Sequence, residues 1–372
     1  MKRIIALVFL VTLLLPQTGL AKTGYMTMRE VYDEVASQYP DGWHETIRTK
    51  WRDIEINTPV IVPDTDQCPV LVLQVIEDHP DIAALPGEGW KDDTTAAGWV
   101  RGSRPATEAE PSTKNSEINS HHFYAPVDLS MVWDGYKGKS LGDLLQEGGN
   151  FLSASCGGKY CWDLAHPYDV MFNTRIRGKE TWTTGLSVSA FQTFHDIPYI
   201  NGISHYVTYD VNRQYVSYAD VLYQIDPFGG IRFVYHPVKS EVMEEDIPLC
   251  SFEAVKQTLR KEIDAGHIRN ILEIRFGYTS ANRSKDTNDP VSVTRPVWHV
   301  EAWWCNKGVS EMKPDEPDYP TNSRGKRECV RMIFDAQTGK LISMASSFLP
   351  AQKRVKEIGY FQGYLSWKDV KK

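Results

Sequence analysis

The stretch SFEAVKQTLRKEIDAG, residues 251–266, begins the part of the chain that decides the fold. Ser251 stands at the N-cap position, where a hydroxyl can accept from the first free N–H groups of a helix. Gly266 stands where a C′ residue with positive φ is expected. Between them the apolar residues recur at helical spacing and form one stripe, made of Phe252, Val255, Leu259 and Ile263. The pattern predicts a helix that buries one apolar face.

After this helix the chain has the pattern of strands, with no second helix between them. The β-type runs are Ile271–Tyr278, Pro296–Cys305, Cys329–Asp335 and Lys340–Met344, with the turn Asp335-Ala-Gln-Thr-Gly339 between the last two. Parallel neighbours need a crossover of a dozen residues or more, so this order predicts antiparallel pairing. The predicted fold class is α+β, with antiparallel β-sheets, a few packed helices and a helix-plus-four-strand module over residues 249–349.

The N-terminal region, residues 22–248, is also predicted to be α+β. Thr27 and Glu30 form a capping box, and the spacing after them predicts a helix over 28–39. Two Val- and Ile-rich runs, 53–63 and 69–76, are predicted strands. A second, short helix is expected over Ser140–Gln146 and is ended by Gly148-Gly149.

The rest of that region divides into loop and sheet. Residues 91–120 are rich in polar residues, Pro and Gly, which predicts an exposed polar loop. From about residue 170 the sequence becomes β-rich, and 222–225 with 231–235 forms a predicted hairpin. The acidic run 241–246 predicts a solvated connection between domains. Residues 350–372 are predicted to form a C-terminal tail.

The first residues have the pattern of a secretory signal peptide. Lys2 and Arg3 precede an apolar run over 4–15, which is too short to cross a bilayer of about 30 Å. Small residues at Gly19 and Ala21 predict cleavage after Ala21, and an uncleaved membrane anchor is the alternative. We therefore expect a secreted or extracytoplasmic protein with no membrane span after cleavage.

The mature chain is expected to be acidic. Cleavage removes Lys2 and Arg3 and leaves 39 basic and 48 acidic residues, a net charge of −9. An acidic surface repels phosphate backbones, so nucleic acid is excluded as the expected partner.

All six cysteines lie in the mature chain, and an even count in an exported protein favours disulfides. Cys305 ends one predicted strand and Cys329 begins the next, so antiparallel pairing of these strands predicts a Cys305–Cys329 disulfide. By proximity Cys156 would pair with Cys161, which leaves Cys68 with Cys250. Buried free thiols are the alternative.

The C-terminal motifs, taken in order, resemble the PepSY domain and its relatives, including extracytoplasmic regulators of the YycH and YycI type. The motifs are Ser251-Phe-Glu-Ala-Val, Phe276-Gly-Tyr278, Arg295-Pro-Val-Trp298-His-Val300 and Ile333-Phe-Asp-Ala-Gln-Thr-Gly339-Lys-Leu-Ile342. The resemblance covers about residues 186–345. It implies an inhibitory, regulatory or protein-binding role outside the membrane rather than a shared active site.

No motif predicts catalytic, cofactor-binding or metal-binding residues. The segment from Cys156 to Trp162, with His299 downstream, superficially resembles a papain-like site, but the spacing of its two cysteines is wrong. The histidines are scattered and form no zinc motif. The sequence thus predicts a secreted or cell-envelope binding or regulatory protein whose partner is another protein or an envelope component. The alternative is an extracytoplasmic hydrolase whose site assembles only in the fold.

Overall fold

The structure is a computed structural model. It describes residues 24–50, 53–75, 91–92, 100–104, 119–122, 129–130, 138–156, 159–162, 171–177, 180–200, 220–225, 231–235, 238–280, 291–304, 329–346, 355–357 and 365–370. The predicted signal segment and Cys305 lie outside these residues.

The main sheet collects strands from both ends of the chain. Its path is β14-β4-β16-β17-β18-β19, and β15 pairs with β16 and with β3. The strands are β3 (Val60–Ile61), β4 (Val70–Val75), β14 (Val238–Glu244), β15 (Ile268–Ser280), β16 (Val291–Trp304), β17 (Cys329–Asp335), β18 (Leu341–Ser346) and β19 (Val355–Glu357). The sequence-predicted antiparallel order β15–β16–β17–β18 is confirmed.

Two helices and a hairpin belong with this sheet. They are α1 (Met28–Gln38), α3 (Phe252–Asp264) and the hairpin of β1 (Trp43–Arg48) with β2 (Asp53–Thr58). The capping box of α1 and the stripe of α3 are confirmed, and Gly266 has φ +75°. Ser251 occupies the predicted N-cap of α3, but its side chain makes no cap hydrogen bond. The Phe252 N–H instead donates to Glu34 of α1 at 2.9 Å, so one helix caps the other.

The predicted boundary at residue 248/249 does not separate two cores. One buried cluster contains Val31, Trp43 and Val70 together with Phe252 and Trp298. The apolar face of the C-terminal strands is wider than α3 alone can cover, so α1 and the first strands cover the remainder. Residues 26–75 therefore pack with the C-terminal module.

The middle of the chain is inserted between two paired strands. Val75 at the end of β4 lies opposite Val238 at the start of β14, so residues 76–237 leave and return at the same place in the main sheet. Most of the acidic run is thus an edge strand and not a connection between domains. The carboxylates suggested a linker, whereas pairing with β4 uses backbone N–H and C=O groups and tolerates the acidic side chains.

The insert contains the second sheet and its helix, α2 (Leu141–Cys156). The sheet path is β5-β6-β13-β12-β10-β9-β7, with β8 and β11 on β10. The strands are β5 (Lys91–Asp92), β6 (Val100–Arg104), β7 (Asn119–His122), β8 (Lys159–Trp162), β9 (Met171–Arg177), β10 (Glu180–Phe194), β11 (Ile197–Pro198), β12 (Asp220–Ile225) and β13 (Ile231–Tyr235). The β-rich prediction from about residue 170 and the β12–β13 hairpin are confirmed.

Two predictions in the insert were wrong. Strands β5 and β6 and the first two residues of β7 lie within the stretch predicted as an exposed loop over 91–120, because ladders bond backbone groups and tolerate polar side chains. Helix α2 also continues through Gly148-Gly149 to Cys156. A Cβ at Gly148 would lie 2.8 Å from the Tyr223 ring, so this glycine permits close packing of α2 on the sheet.

Among the described residues, no helix combines the length and the apolarity that a membrane crossing requires.

Candidate functional site

The main sheet carries charged side chains on the side that faces away from the core. Alternate residues of β15, β16 and β17 point to this side. We call the set the polar face, and it consists of Glu273, Arg275, Arg295, His299, Glu301, Arg331 and Asp335. Glu301 and Arg331 are opposite each other in the register, and both are buried. His299, Arg295 and Asp335 are buried as well.

Opposite charges on the polar face are paired. Arg331 bonds Glu301, and Arg295 bonds Asp335, in both cases with almost no exposed side chain. Glu273 and Arg275 form a two-bond pair at 2.7 and 2.9 Å. Because buried charges are stable only when paired, the arrangement holds these strands in one register.

The insert covers the polar face at three points. Arg275 Nη1 lies 3.7 Å from Cys161 Sγ on β8, and the Arg331 guanidinium lies 6.0 Å from the centre of the Phe191 ring on β10. At Gly277 a Cβ would lie 2.6 Å from Ile200 Cδ1, so the absence of a side chain there permits the contact. Insert and main sheet thus meet across a layer that joins the polar face to uncharged groups of the insert, and Phe194, Ile197 and Tyr199 of the insert also belong to the main buried cluster.

The layer contains both residues of the papain-like resemblance, since Cys161 contacts the polar face and His299 belongs to it. The register places His299 opposite Arg275, and Arg275 is the group that bonds Cys161. A nucleophile and its base must be within hydrogen-bond reach of each other. Both residues therefore neighbour Arg275, whose guanidinium does not serve as a general base.

The predicted disulfides stay predictions. The antiparallel pairing assumed for Cys305 and Cys329 is confirmed, with Trp303 opposite Cys329 in the register. Cys68 and Cys250 are free thiols, and burial raises the pKa of both, that of Cys250 to about 12. The Cys68 thiol donates to the Tyr278 hydroxyl at 3.8 Å.

A second polar site lies at the turn between β17 and β18. Asp335 Oδ1 accepts from the N–H groups of Gln337 and Thr338 and from the Thr338 hydroxyl at 2.7–2.9 Å, and Gly339 has φ +67°. The turn predicted over Asp335–Gly339 is confirmed. The turn holds Gln337 so that its side chain, only 1% exposed, points towards the C-terminal segment of the chain.

Gln337 bonds the backbone of that segment from both ends of its amide. Its Nε2 donates to Leu365 O at 2.8 Å and to Pro248 O at 3.0 Å, and its Oε1 accepts from Leu365 N at 2.9 Å. We call Gln337 with Pro248 and Asp246 the clasp, and residues 365–370 the strap. Gln337 therefore bonds both the N–H and the C=O group of Leu365, as a neighbouring β-strand would.

Asp246 provides the second contact of the clasp. Its Oδ1 accepts from the N–H groups of Cys68 and Ile247 at 3.0 and 3.1 Å, and the Trp367 side chain of the strap lies close to the carboxylate. Burial raises the pKa of Asp246, and these hydrogen bonds oppose the rise. The carboxylate is thus held by two backbone N–H donors, one from Cys68 far along the chain and one from the next residue, Ile247.

Sequence reasoning missed the clasp. Gln337 was noted only as part of a turn and Asp246 only as part of an acidic run. The signal that could have identified Gln337 was its place in a turn stabilised by Asp335, where a buried amide needs partners. Among the described residues, no group of three or more His, Cys, Asp or Glu could hold a metal ion.

Comparison with known proteins assigns neither a family nor an activity to this chain. No family model and no curated protein matches the chain. Among solved structures it is similar to an uncharacterized protein from Eubacterium rectale ATCC 33656, at 12% identity and a TM-score of 0.46. The alignment covers 79% of this chain and 91% of that chain. Since that protein is uncharacterised, the similarity assigns no activity.

Proposed function

We propose that this chain is a secreted or cell-envelope binding and regulatory protein that recognises a polypeptide segment of another protein. The observation that carries the proposal is the clasp, because Gln337 satisfies both backbone groups of Leu365. Backbone groups are common to all polypeptides, so a site of this kind accepts a segment from another chain as readily as one from its own.

The chemistry of the clasp suits a peptide better than a sugar or a small anion. The Gln337 amide offers one donor and one acceptor at the spacing of a peptide unit, as in strand-addition recognition. Asp246 adds a carboxylate whose negative charge disfavours an anionic ligand. The PepSY-like resemblance, which implies a protein-binding role, agrees with this assignment.

A peptide-binding measurement tests the proposal. The probe is a fluorescein-labelled peptide of residues 364–372, YLSWKDVKK, added to the mature chain carrying Leu365→Pro and Trp367→Ala. Proline removes the N–H that Gln337 accepts, and alanine removes the contact to Asp246, so the variant's own strap no longer holds the clasp. We expect a saturable rise in fluorescence anisotropy, with Kd in the range of about 10–500 μM that a few hydrogen bonds can support.

The matched controls change one hydrogen-bonding group at a time. Gln337→Glu in the same variant keeps the shape but removes both Nε2 donors, and binding should fall at least about tenfold. A probe with N-methyl-leucine at the position of Leu365 removes the peptide N–H without altering the protein. If both changes leave the anisotropy curve unmoved, the clasp does not bind peptides and the proposal is wrong.

A further inference from the structure

We infer that strand β14 is the interface of a homodimer, in which its free edge pairs antiparallel with β14 of a second copy about a two-fold axis at Ser240. The inference goes beyond the proposed function and does not depend on the clasp. The observations that carry it are the exposure of β14, the direction of its backbone groups and the order of its charges.

The free edge of β14 is open to a partner strand. Among the described residues, β14 pairs with β4 alone and ends the path of the main sheet. All residues from Lys239 to Met243 are exposed, and Val242 and Met243 are apolar side chains that are 47% and 57% exposed. An edge strand presents unpaired N–H and C=O groups, to which another strand can add.

The neighbouring strand β4 shows which of its own backbone groups face β14. Leu71 N donates to Thr294 Oγ1 on β16 at 2.8 Å, so the backbone groups of Leu71 face β16. Successive residues of an antiparallel strand alternate in the side to which their N–H and C=O groups point. Val72 and Gln74 therefore direct their backbone groups towards β14.

The same alternation gives the backbone groups that β14 leaves unpaired. The residues of β14 that lie opposite these two β4 residues are Glu241 and Lys239, so their backbone groups bond β4. Val238, Ser240 and Val242 alternate with them and direct their N–H and C=O groups to the free edge. A partner strand must therefore bond these residues.

One self-pairing register also matches the charges. Within residues 238–242, bonding more than one outward residue of each copy requires a two-fold axis at position 239, 240 or 241. An axis at 239 places Lys239 opposite its own copy, and an axis at 241 does the same for Glu241, and like charges directly opposite each other are destabilising. The axis at Ser240 instead places each Lys239 opposite Glu241 of the other copy.

This register also pairs apolar side chains on the other side of the strand. It places Val238 opposite Val242 of the second copy, on the side of the sheet that carries the buried Leu71. Pairing would therefore cover the exposed Val242 side chain. On the opposite side, Lys239 Nζ lies 3.5 Å from Glu241 Oε1 of its own strand, so the dimer would join two such pairs into a group of alternating charges.

The dimer is expected to be weak and closed. The register shift between Val242 and Glu244 ends regular pairing at one end of the strand. The outward residues of the two copies exchange about six backbone hydrogen bonds. Such a short ladder suits a transient interface, with Kd of about 10–500 μM. Because both copies use the same edge, the pairing leaves neither β14 edge free and stops at two chains.

Sedimentation equilibrium of the mature chain tests the dimer. Between about 5 μM and about 1 mM, we expect the weight-average mass to rise from that of one chain towards that of two. Ser240→Pro removes an outward N–H group that β4 does not use, and edge strands tolerate proline. The variant should associate at least about tenfold more weakly. Its far-ultraviolet circular dichroism and its urea midpoint should match those of the original chain.

Charge reversal tests the register without changing the backbone. Lys239→Glu and Glu241→Lys each place like charges opposite each other in a self-pair, so each variant alone should associate at least about tenfold more weakly. In an equimolar mixture, opposite charges face each other again at both positions, and Kd should return to within about threefold of the original. Lys261→Glu makes the same charge change at an exposed position of α3 and should not alter association.

Each contrary result identifies what is wrong. A chain that keeps the mass of one copy over the whole range would overturn the inference and leave the β14 edge to a strand of a different protein. Association that Ser240→Pro does not weaken would belong to another surface and would overturn it equally. If the two charge-reversed chains associate no better together than apart, the axis at Ser240 is wrong. None of these results changes the anisotropy measurement that tests the clasp.

Discussion

The central strands β15, β16 and β17 bury apolar side chains on one side and charged side chains on the other. On one side Trp298 packs against Phe252 and Phe276, with ring centroids 5.0 and 5.3 Å apart. On the other side the polar face pairs its charges, with Glu301 bonded to Arg331. Both sides are buried, the first under α3 and the second against the insert.

The difference shows what each side contributes. Apolar burial stabilises in proportion to area and needs only shape to match. A buried ion pair gains little net free energy, since desolvation offsets most of its attraction, but it penalises any arrangement that separates its partners. We therefore expect the apolar side to supply the stability of the main sheet, and the polar face to fix its register and its contact with the insert.

The largest effect is expected on the apolar side. Trp298→Ala should lower the free energy of unfolding by about 4 kcal/mol, because a fully buried indole is replaced by a cavity between α3 and the sheet. Urea denaturation at neutral pH, followed by far-ultraviolet circular dichroism, measures the change.

Trp298→Phe is the matched control. The Trp298 indole N–H has no hydrogen-bond partner among the described residues, so phenylalanine loses area but no hydrogen bond. Its cost should stay below about 2 kcal/mol. Equal losses for both variants would mean that aromatic packing is not what stabilises this side.

The polar face should respond differently to single and double changes. Glu301→Ala leaves the Arg331 guanidinium buried without its carboxylate, and we expect a loss of about 3 kcal/mol. The double variant Glu301→Leu/Arg331→Met replaces the pair by apolar groups of similar length and should lie within about 1 kcal/mol of the original chain. The same urea titration measures both.

A double variant as unstable as the single one would contradict this view of the polar face. The ion pair would then supply net stability, and the contrast between the two sides would disappear. A double variant that is stable but loses the Phe191 contact to the insert would sharpen the contrast. Limited proteolysis of the insert detects that loss.

The sequence predicted the elements that local patterns define. The bounds of α3, the capping box of α1 and the turn from Asp335 to Gly339 all depend on residues within five positions of one another. These signals are local, so one sequence was sufficient to detect them.

The missed features depend on residues far apart in the chain. The insert is visible only when Val75 is known to pair with Val238, and the polar face is buried only because β8 and β10 return to cover it. Glycine commonly ends helices, so the sequence predicts a helix end at Gly148, whereas here Tyr223 packs against it. Gln337 and Leu365 are likewise 28 positions apart.

The smallest expected effect concerns Asp246, a half-buried carboxylate held without a guanidinium partner. Glu301 is neutralised by Arg331, whereas the hydrogen-bond partners of Asp246 are N–H groups and burial raises its pKa. The native state therefore binds the Asp246 proton more tightly than the unfolded chain does. The resulting stability is fully present below the unfolded pKa of about 3.9 and is lost as the pH rises through the folded pKa.

Asp246→Asn tests this sign. The asparagine oxygen can still accept the N–H groups of Cys68 and Ile247, but the side chain remains neutral at every pH. We expect the variant to be more stable than the original chain at pH 7, by less than about 1 kcal/mol because the site is half-buried, and the difference to vanish near pH 3. Urea titrations at pH 3, 5 and 7 measure it. Glu245→Gln removes one charge from the exposed neighbouring residue and reports the effect of net charge alone. If Asp246→Asn instead lowers stability at pH 7, the carboxylate stabilises the clasp in its ionised form, and the contrast between paired and unpaired buried carboxylates does not hold.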